Sequence, residues 1–346
     1  WLGRDPMGIK PLYFSLNGDK IVFASELKPL LSFNWINKSI DNDALFSYFR
    51  YGYVPTPYSI FKNIHKLPAG NFLFFNRSKY TIEPFWHHDK VAKFENFIYE
   101  NIDQYIDIIE DELLRSVKLH MQSDVPYGAF LSGGIDSSII VSLMQKQSLK
   151  KINTFSVGFS ERSHDESKYA SAVAKHIGTN HNEIILKPND AINLLMESSR
   201  FFDEPFADNS AIPTYFVAKL ARNTVKVCLS GDGGDELYGG YPRYYWAQRI
   251  ENTRKYYPMI SKTFGRVLSS IPSSIINKFI DPLLGYKFSG SEGLSYRVKR
   301  LAKYLEVNRD FIYKELTPYW TNPSKLLNLN DYKKIGNDNL NFPKLL

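Results

Sequence analysis

The sequence predicts an α/β fold built on a doubly wound parallel sheet, and three observations carry that expectation. From about residue 100, short apolar runs alternate with longer segments of helical period, the pattern of strands joined by crossover helices. Two of those runs end alike: Tyr127-Gly-Ala-Phe-Leu-Ser-Gly-Gly134 and Val225-Lys-Val-Cys-Leu-Ser-Gly231 both pass from apolar residues into Leu-Ser-Gly. The residues ahead of them read differently, as short strands separated by turn signals.

Taken in order, Pro11-Leu-Tyr-Phe14 and Ile21-Val-Phe-Ala24 are β-rich runs flanking Asn17-Gly18, a hairpin signal. Two strands alone bury no core. Asp41 is placed to cap a short helix through Tyr51, which Pro55-Thr-Pro57 ends. Leu67-Pro-Ala-Gly70 reads as a turn before the strand-like Phe72-Leu-Phe-Phe75, and Trp86 closes the segment at a domain junction. Ile106, Ile109, Leu113 and Val117 recur at helical spacing and predict a helix from Ile102 to His120. Next come an expected helix at 138–146, a strand at 154–159 and a helix at 167–177. Ser163 and Glu166 stand at capping-box spacing before that helix. A strand at 183–186, helices at 189–200 and 210–222, and a strand at 225–229 complete the sheet. Beyond Gly240 the pattern turns helical, aromatic and basic. No internal repeat is longer than the paired Leu-Ser-Gly strand ends.

The two strand ends carry the chemistry. A Ser-Gly-Gly turn entering a helix leaves N–H groups at the positive end of that helix. Gly133 and Gly134 lack a Cβ, so an anion can approach the main chain. Ser132, Ser137 and Ser138 add hydroxyls, and Asp136 adds a carboxylate where a divalent metal would sit. The Walker A lysine is absent, so the loop suits a pyrophosphate that leaves as a unit. Taken alone, it reads equally well as an ordinary strand-to-helix turn. The second loop, Ser230-Gly-Asp-Gly-Gly-Asp-Glu236, shifts the balance. It brings Asp232, Asp235 and Glu236 with Asp136 to the carboxyl edge of one sheet, where open α/β sheets bind ligands. Carboxylates gathered there repel one another, and bound Mg²⁺ is the simplest remedy.

Composition narrows the class. The single cysteine, Cys228, excludes an internal disulfide framework and fits a reducing, cytoplasmic compartment. It lies in an apolar run and reads as a small buried hydrophobe. No apolar run is long enough to span a bilayer, and no signal peptide is present, so no membrane partner is expected. A net charge of +7 invites a nucleic-acid partner. The basic residues are scattered, however, and alternate with acids, as in Glu292 to Arg309. The expectation is therefore no nucleic acid, and a solvated surface that steers anions. His87, His88, His164, His176 and His181 lack metal-ligand spacing and read as surface or capping residues. The chain opens at Trp1 on what reads as mid-domain strand and ends at Leu346 without a stop signal, which suggests a fragment of a longer protein.

On these residues the chain resembles the glutamine-hydrolysing asparagine synthetases. Asp124-Val-Pro-Tyr-Gly-Ala-Phe-Leu-Ser-Gly-Gly-Ile-Asp-Ser-Ser138 is similar to their pyrophosphate loop. Phe155-Ser-Val-Gly-Phe159, Asp165-Glu-Ser-Lys-Tyr169, Phe202-Asp-Glu-Pro-Phe-Ala-Asp208 and Ser230 to Glu236 follow in the family's order. Gly3-Arg-Asp-Pro-Met-Gly-Ile-Lys-Pro-Leu-Tyr13 and Phe23-Ala-Ser-Glu-Leu-Lys28 resemble the last part of its glutaminase domain. The resemblance implies three segments. Residues 1–33 would be a remnant of an α+β N-terminal-nucleophile glutaminase domain, and 34–98 a connecting region. Residues 99–346 would be a C-terminally incomplete synthetase domain of the pyrophosphate-loop adenine nucleotide α-hydrolase type.

It also implies a reaction: ATP-dependent, AMP-forming amidation of aspartate through an acyl-adenylate, with ammonia derived from glutamine. ATP and Mg²⁺ are the implied cofactors, a carboxylate and glutamine the implied small-molecule partners, and a homodimer is left open. By position, Ser132, Gly133, Gly134, Ser137 and Ser138 would contact pyrophosphate. Leu131, Val157, Ser230 and Gly231 would contact adenine and ribose, mostly through main chain. Asp136 and Asp235 would be the metal ligands. Asp232 is the catalytic candidate, standing where these synthetases often carry Glu. Its shorter side chain retracts the carboxylate, and a loop-ordering role is the alternative. Asp203, Glu204 and Asp208 are expected to line the acceptor pocket, with Asp208 equally suited to cap a helix. The family's cysteine nucleophile and its late lysine have no counterpart here. The alternatives are an amidotransferase for another carboxylate, such as a sugar acid, and a catalytically inactive binding protein. GMP synthetases, NAD synthetases and tRNA-thiolating enzymes share the first loop but fit the second poorly.

Overall fold

A two-residue strand, β1 (Leu2–Gly3), precedes a hairpin of β2 (Tyr13–Asn17) and β3 (Lys20–Ala24) in the computed structural model. The described residues are 1–77, 79–87, 101–161, 165–276, 278, 294–306, 319–320, 323 and 327. Asn17 pairs with Lys20, so Gly18 and Asp19 form the turn, with Gly18 at φ 57°. Two-residue hairpin turns of this hand need a positive φ, and glycine meets the need without strain. Helix α1 (Leu27–Leu30) follows, then α2 (Asn42–Tyr51). Asp41 caps α2 as expected, its Oδ1 accepting from the N–H groups of Asp43 (2.8 Å) and Ala44 (3.0 Å). Strand β4 (His65–Lys66) pairs with β2, and Tyr13, Leu27, Leu30, Ile36, Ala44, Val54, Ile60 and Ile64 enclose one core. The hairpin that could not bury itself therefore draws its partners from as far along the chain as Ile64. Strands β5 (Asn71–Asn76) and β6 (Lys79–Pro84) form a second antiparallel sheet, which β1 joins.

The expected helix from Ile102 to His120 is α3, with those bounds. Only its later turns reach the core: Val117 is buried, whereas Ile106 and Ile109 are exposed. The parallel sheet then assembles from β7 (Tyr127–Phe130), α4 (Ile135–Lys146), β8 (Asn153–Phe159), α5 (Ser167–Ile177), β9 (Asn180–Leu186), α6 (Pro188–Phe201), α7 (Ala211–Ala221) and β10 (Val227–Leu229). Strand order is β10-β7-β8-β9, with every neighbouring pair parallel. Ala129 and Leu131 face Val141 and Met144 of α4 and Ala170 and Ala174 of α5. Phe155 faces Val217 and Ala221 of α7 and Val225 on the other side. Both faces are covered, and the winding reverses between β7 and β10, as a doubly wound sheet requires.

One boundary and one cap differ from expectation for identifiable reasons. Helix α4 begins at Ile135, not Ser138, because Gly134 serves as its N-cap with extended φ and ψ. The start of α5 is secured by Asp165, whose Oδ1 accepts from the Ser167 N–H (3.1 Å). Of the expected capping box, Ser163 lies outside the described residues.

Trp1–Asp232 forms one compact unit and Gly233–Thr321 a second. The second contains α8 (Gly234–Tyr238), α9 (Pro242–Tyr256), α10 (Pro258–Ser270), α11 (Ser273–Ile275) and α12 (Leu294–Glu306). Proline opens both α9 and α10, where its missing N–H costs nothing. Ala247 and Ile250 of α9 pack with Tyr304 of α12. Among the described residues, no helix is long and apolar enough to cross a membrane.

Candidate functional site

Strands β7 and β10 are neighbours, and each ends in one of the two Leu-Ser-Gly turns. Leu131 extends β7 by one residue, donating its N–H to the Phe155 carbonyl (2.9 Å), and is 1% exposed. The chain then turns through Gly133 at φ 83° into α4. Hydroxyls stitch this turn together. Ser132 Oγ accepts from the Gly134 N–H (3.2 Å) and lies 3.0 Å from Ser137 Oγ. Ser137 and Ser138 donate to the Gly134 carbonyl at 3.2 and 2.7 Å. Ser137 is buried, so its hydroxyl sets the loop's shape, while Ser132 and Gly134 stand exposed at the helix start.

The two glycines do different work. A Cβ on Gly133 would meet the Ala170 nitrogen at 2.5 Å and the Tyr169 carbonyl carbon at 2.6 Å. Its missing side chain thus admits the first turn of α5. A Cβ on Gly134 would meet only Ser132 Oγ, at 3.3 Å, so that position is open to a ligand. The Asp165-Glu-Ser-Lys-Tyr169 motif acquires a role here. Asp165 anchors α5, and α5 presses Tyr169 and Ala170 against the loop. The Ser167 hydroxyl and amide hold the Asp165 carboxyl below the usual carboxylate range.

The second turn comes up against the first. A Cβ on Gly231 would lie 2.7 Å from the Ser137 nitrogen and 2.9 Å from Asp136 Cβ. The main chain after β10 therefore touches the first turn of α4 at the residues expected to bind pyrophosphate and metal. Ser230 Oγ donates to Asp232 Oδ2 (2.8 Å) and accepts the Asp232 N–H (3.4 Å), leaving Asp232 exposed and oriented. Val157, near the carboxyl end of β8, is half-buried against the Phe155 cluster.

Asp235 and Glu236 belong to the second unit. Gly240 donates its N–H to the Asp235 carbonyl (3.0 Å), and a Cβ on Gly240 would collide with Asp235 Oδ1. Tyr241 donates its hydroxyl to Glu236 Oε1 (2.6 Å), a bond that raises the phenol to about 12. The Arg243 guanidinium stacks 4.0 Å from the centre of the Tyr241 ring. Sequence reasoning missed this knot. Its only signal was the run of aromatic and basic residues after Gly240.

Other expectations are corrected. Asp203 and Glu204 do not line an open pocket. Both face the N-terminal region, where Asp203 Oδ2 accepts the Leu27 N–H (2.5 Å) and Glu204 Oε1 accepts the Ile60 N–H (2.8 Å). Asp208 orders the approach to α7: its Oδ1 accepts the N–H of Ser210, the N-cap residue (2.8 Å). His181 is no surface residue. Its ring lies half-buried between Thr154 Oγ1 (2.9 Å) and Ser156 Oγ (3.1 Å), and burial lowers its pKa. Cys228 is half-buried, and desolvation pushes its thiol up to about 11, as an inert thiol would be. His88 and His164 lie outside the described residues. Among the described residues, no cluster of three or more His, Cys, Asp or Glu side chains is gathered to hold a metal.

Two family profiles match the chain. One, described as asparagine synthase, covers residues 109–335, and the other, described as glutamine amidotransferase domain, covers residues 1–86. The chain belongs to the asparagine synthase family. It is 42% identical over 258 residues to putative asparagine synthetase [glutamine-hydrolyzing] 2 of Methanocaldococcus jannaschii, covering 73% of this chain and 49% of that protein. It is 34% identical over 347 residues to asparagine synthetase [glutamine-hydrolyzing] 1 of Bacillus subtilis, covering 96% of this chain and 52% of that protein. The chain thus spans about half the length of these curated relatives. Within this family the Leu-Ser-Gly turns and the sheet that carries them lie in the synthase-type region, and β1 to β6 in the amidotransferase-type region.

Proposed function

We propose that this chain carries the synthetase site for an ATP-dependent, AMP-forming amidation of a carboxylate. The acceptor is aspartate, and the ammonia comes from glutamine hydrolysed by the full-length protein. The observation that carries the reading is the approach of Gly231 to Asp136 and Ser137, which joins the two turns at the winding reversal of the sheet.

The chemical task is to make a carboxylate electrophilic. Its oxygen attacks the α-phosphorus of ATP, the bond to the β-phosphate oxygen breaks, and pyrophosphate departs. Ammonia then attacks the acyl carbon, and AMP leaves. Positioning and charge neutralisation dominate the first step. Beside the open Gly134, the first turn of α4 offers N–H donors to the departing pyrophosphate, and the exposed Ser132 adds a hydroxyl. Ser137, Ser138 and the Gly133 turn hold that cradle in shape, and the main chain at Leu131, Val157, Ser230 and Gly231 faces the nucleoside. Asp232, held by Ser230 and exposed, is the proposed acceptor of the proton that ammonia sheds.

Mg²⁺ suits the donors present. Asp136 is a hard oxygen ligand, half-buried in the first turn of α4. Mg²⁺ is bound through one or two carboxylates plus substrate phosphates, so a dedicated cage of three side chains is not needed. Asp136 is the proposed ligand. When bound, the ion neutralises charge on the pyrophosphate that leaves.

Pyrophosphate and AMP release by the full-length protein, with ATP, Mg²⁺ and ammonium, tests the reading. Release that depends on aspartate and yields asparagine supports it. Release only with another carboxylate keeps the chemistry and replaces the acceptor, and no release with any carboxylate overturns it.

A further inference from the structure

The segment 200–208, from the last turn of α6 toward α7, turns the side chains of Asp203 and Glu204 away from open solvent and onto a second region of the chain. Glu204 is almost enclosed, its side chain 10% exposed, and it ion-pairs with Lys66, whose side chain is 13% exposed. Its Oε1 accepts the Ile60 N–H (2.8 Å), and the Tyr13 hydroxyl stands 3.4 Å from Oε2. Beside it, Asp203 takes the Leu27 N–H on Oδ2, and Lys28 Nζ lies 3.4 Å from Oδ1. Lys28 also donates to the Arg200 carbonyl (2.7 Å), and the Ala207 N–H donates to the Gly52 carbonyl (2.8 Å). Every partner named lies in the amidotransferase-type region, residues 1–86, and every acidic or loop group lies in the synthase-type region, residues 109–335.

Such an arrangement is poor economy for stability alone. Two charges taken out of water give back little net free energy, and an apolar pair of similar volume does as well. An ion pair with directed hydrogen bonds does better at fixing one register between two surfaces. The loop it fixes leads straight into α7, whose Val217 and Ala221 pack on Phe155 and Val225 beneath the two Leu-Ser-Gly turns.

We infer that Asp203 and Glu204 form the docking seat between the amidotransferase-type and synthase-type regions. Glu204 is on this view a positioning residue for the transfer of ammonia from one to the other, and not a ligand of the acceptor carboxylate. The inference rests on the amidation proposed above, and the test separates the two.

The full-length protein is compared with its Glu204→Gln variant and with the charge-neutral double variant Glu204→Gln/Lys66→Met, which leaves no buried charge unpaired and so preserves the fold. AMP formation is measured with glutamine and with ammonium, and amide hydrogen exchange is followed at Leu27, Ile60 and Ala207. The expected result is a fall of roughly tenfold or more in the glutamine-supported rate relative to the ammonium-supported rate in both variants. Exchange at Ala207, whose own hydrogen bond is untouched by the substitutions, quickens with it. An unchanged ratio overturns the inference. So does a loss of the ammonium-supported rate with a raised KM for the carboxylate, because that makes Glu204 a substrate ligand. If the unaltered protein forms no AMP with ammonium, the amidation reading falls. The exchange rates then decide the docking seat by themselves, with unaltered protection at Ala207 overturning it.

Discussion

Gly231→Ala is the most direct perturbation of the contact on which the functional reading depends. The substitution adds one methyl group and changes no charge. That methyl would stand 2.7 Å from the Ser137 nitrogen, 2.9 Å from the Asp136 carbonyl carbon and 2.9 Å from Asp136 Cβ. Two of these three atoms belong to the backbone of a helix, so no flexible side chain can swing aside. Ordinary carbon contacts require about 3.5–4.0 Å, so the two turns must part by roughly 1 Å. Overpacking of this kind costs about 1–3 kcal/mol. For a unit of this size that is a fall of about 2–12 °C in melting temperature. The catalytic penalty is larger in proportion, since a displacement of about 1 Å can lower turnover roughly 100-fold. The assay pairs thermal melting with ammonium-supported AMP formation in the full-length protein. A variant that turns over normally would refute the claim that the two turns form one site, whatever its melting temperature. A variant that melts lower yet turns over normally would locate the contact in stability alone.

Asp136→Asn removes the charge proposed to hold Mg²⁺ while leaving its shape. AMP formation should vanish, with the folding free energy changed by no more than about 0.5 kcal/mol, as urea unfolding would show. Gly133→Ala should be the more damaging glycine substitution for folding, because it meets both the α5 backbone and a φ of 83°, and soluble expression with a melting curve would report it. Burial lowers the pKa of folded His181 below the ordinary value. The unfolded chain therefore binds the extra proton first, and stability should fall as pH drops below about 6.5 until the folded pKa is passed. His181→Gln should flatten that slope in urea titrations. Asp41→Ala frees two helix N–H groups and should cost about 1 kcal/mol by the same measurement.

Local patterns reveal what local forces build. The alternation of apolar runs and helical segments was enough to expect a parallel sheet, because each strand and helix must hide its own apolar face. The Asn17-Gly18 hairpin and the Asp41 cap were legible for the same reason, as each depends on residues within a few positions. Long-range choices were not. The sequence shows Gly133 and Gly134 as twins, and only the arrival of α5 distinguishes them. His181 resembled a surface histidine until β8 supplied two hydroxyls from Thr154 and Ser156.

The Asp203–Glu204 loop shows where pattern reading fails most instructively. Acidic residues beside a proline, in the order expected of a substrate pocket, face a lysine and two backbone amides lying 138 to 176 positions earlier. A carboxylate has the same chemistry whether it meets a substrate ammonium, a metal ion or a lysine of its own chain. What separates the roles is access. Glu204 is enclosed and fully occupied, whereas Asp136 follows a turn that Gly134 leaves open and Asp232 is exposed on the turn beside it. Residue type names the candidates, but only burial and prior occupancy decide which are free to act. By that criterion the catalytic candidates contract to the two Leu-Ser-Gly turns, and the acidic loop between α6 and α7 passes from the substrate's side of the account to the protein's own assembly.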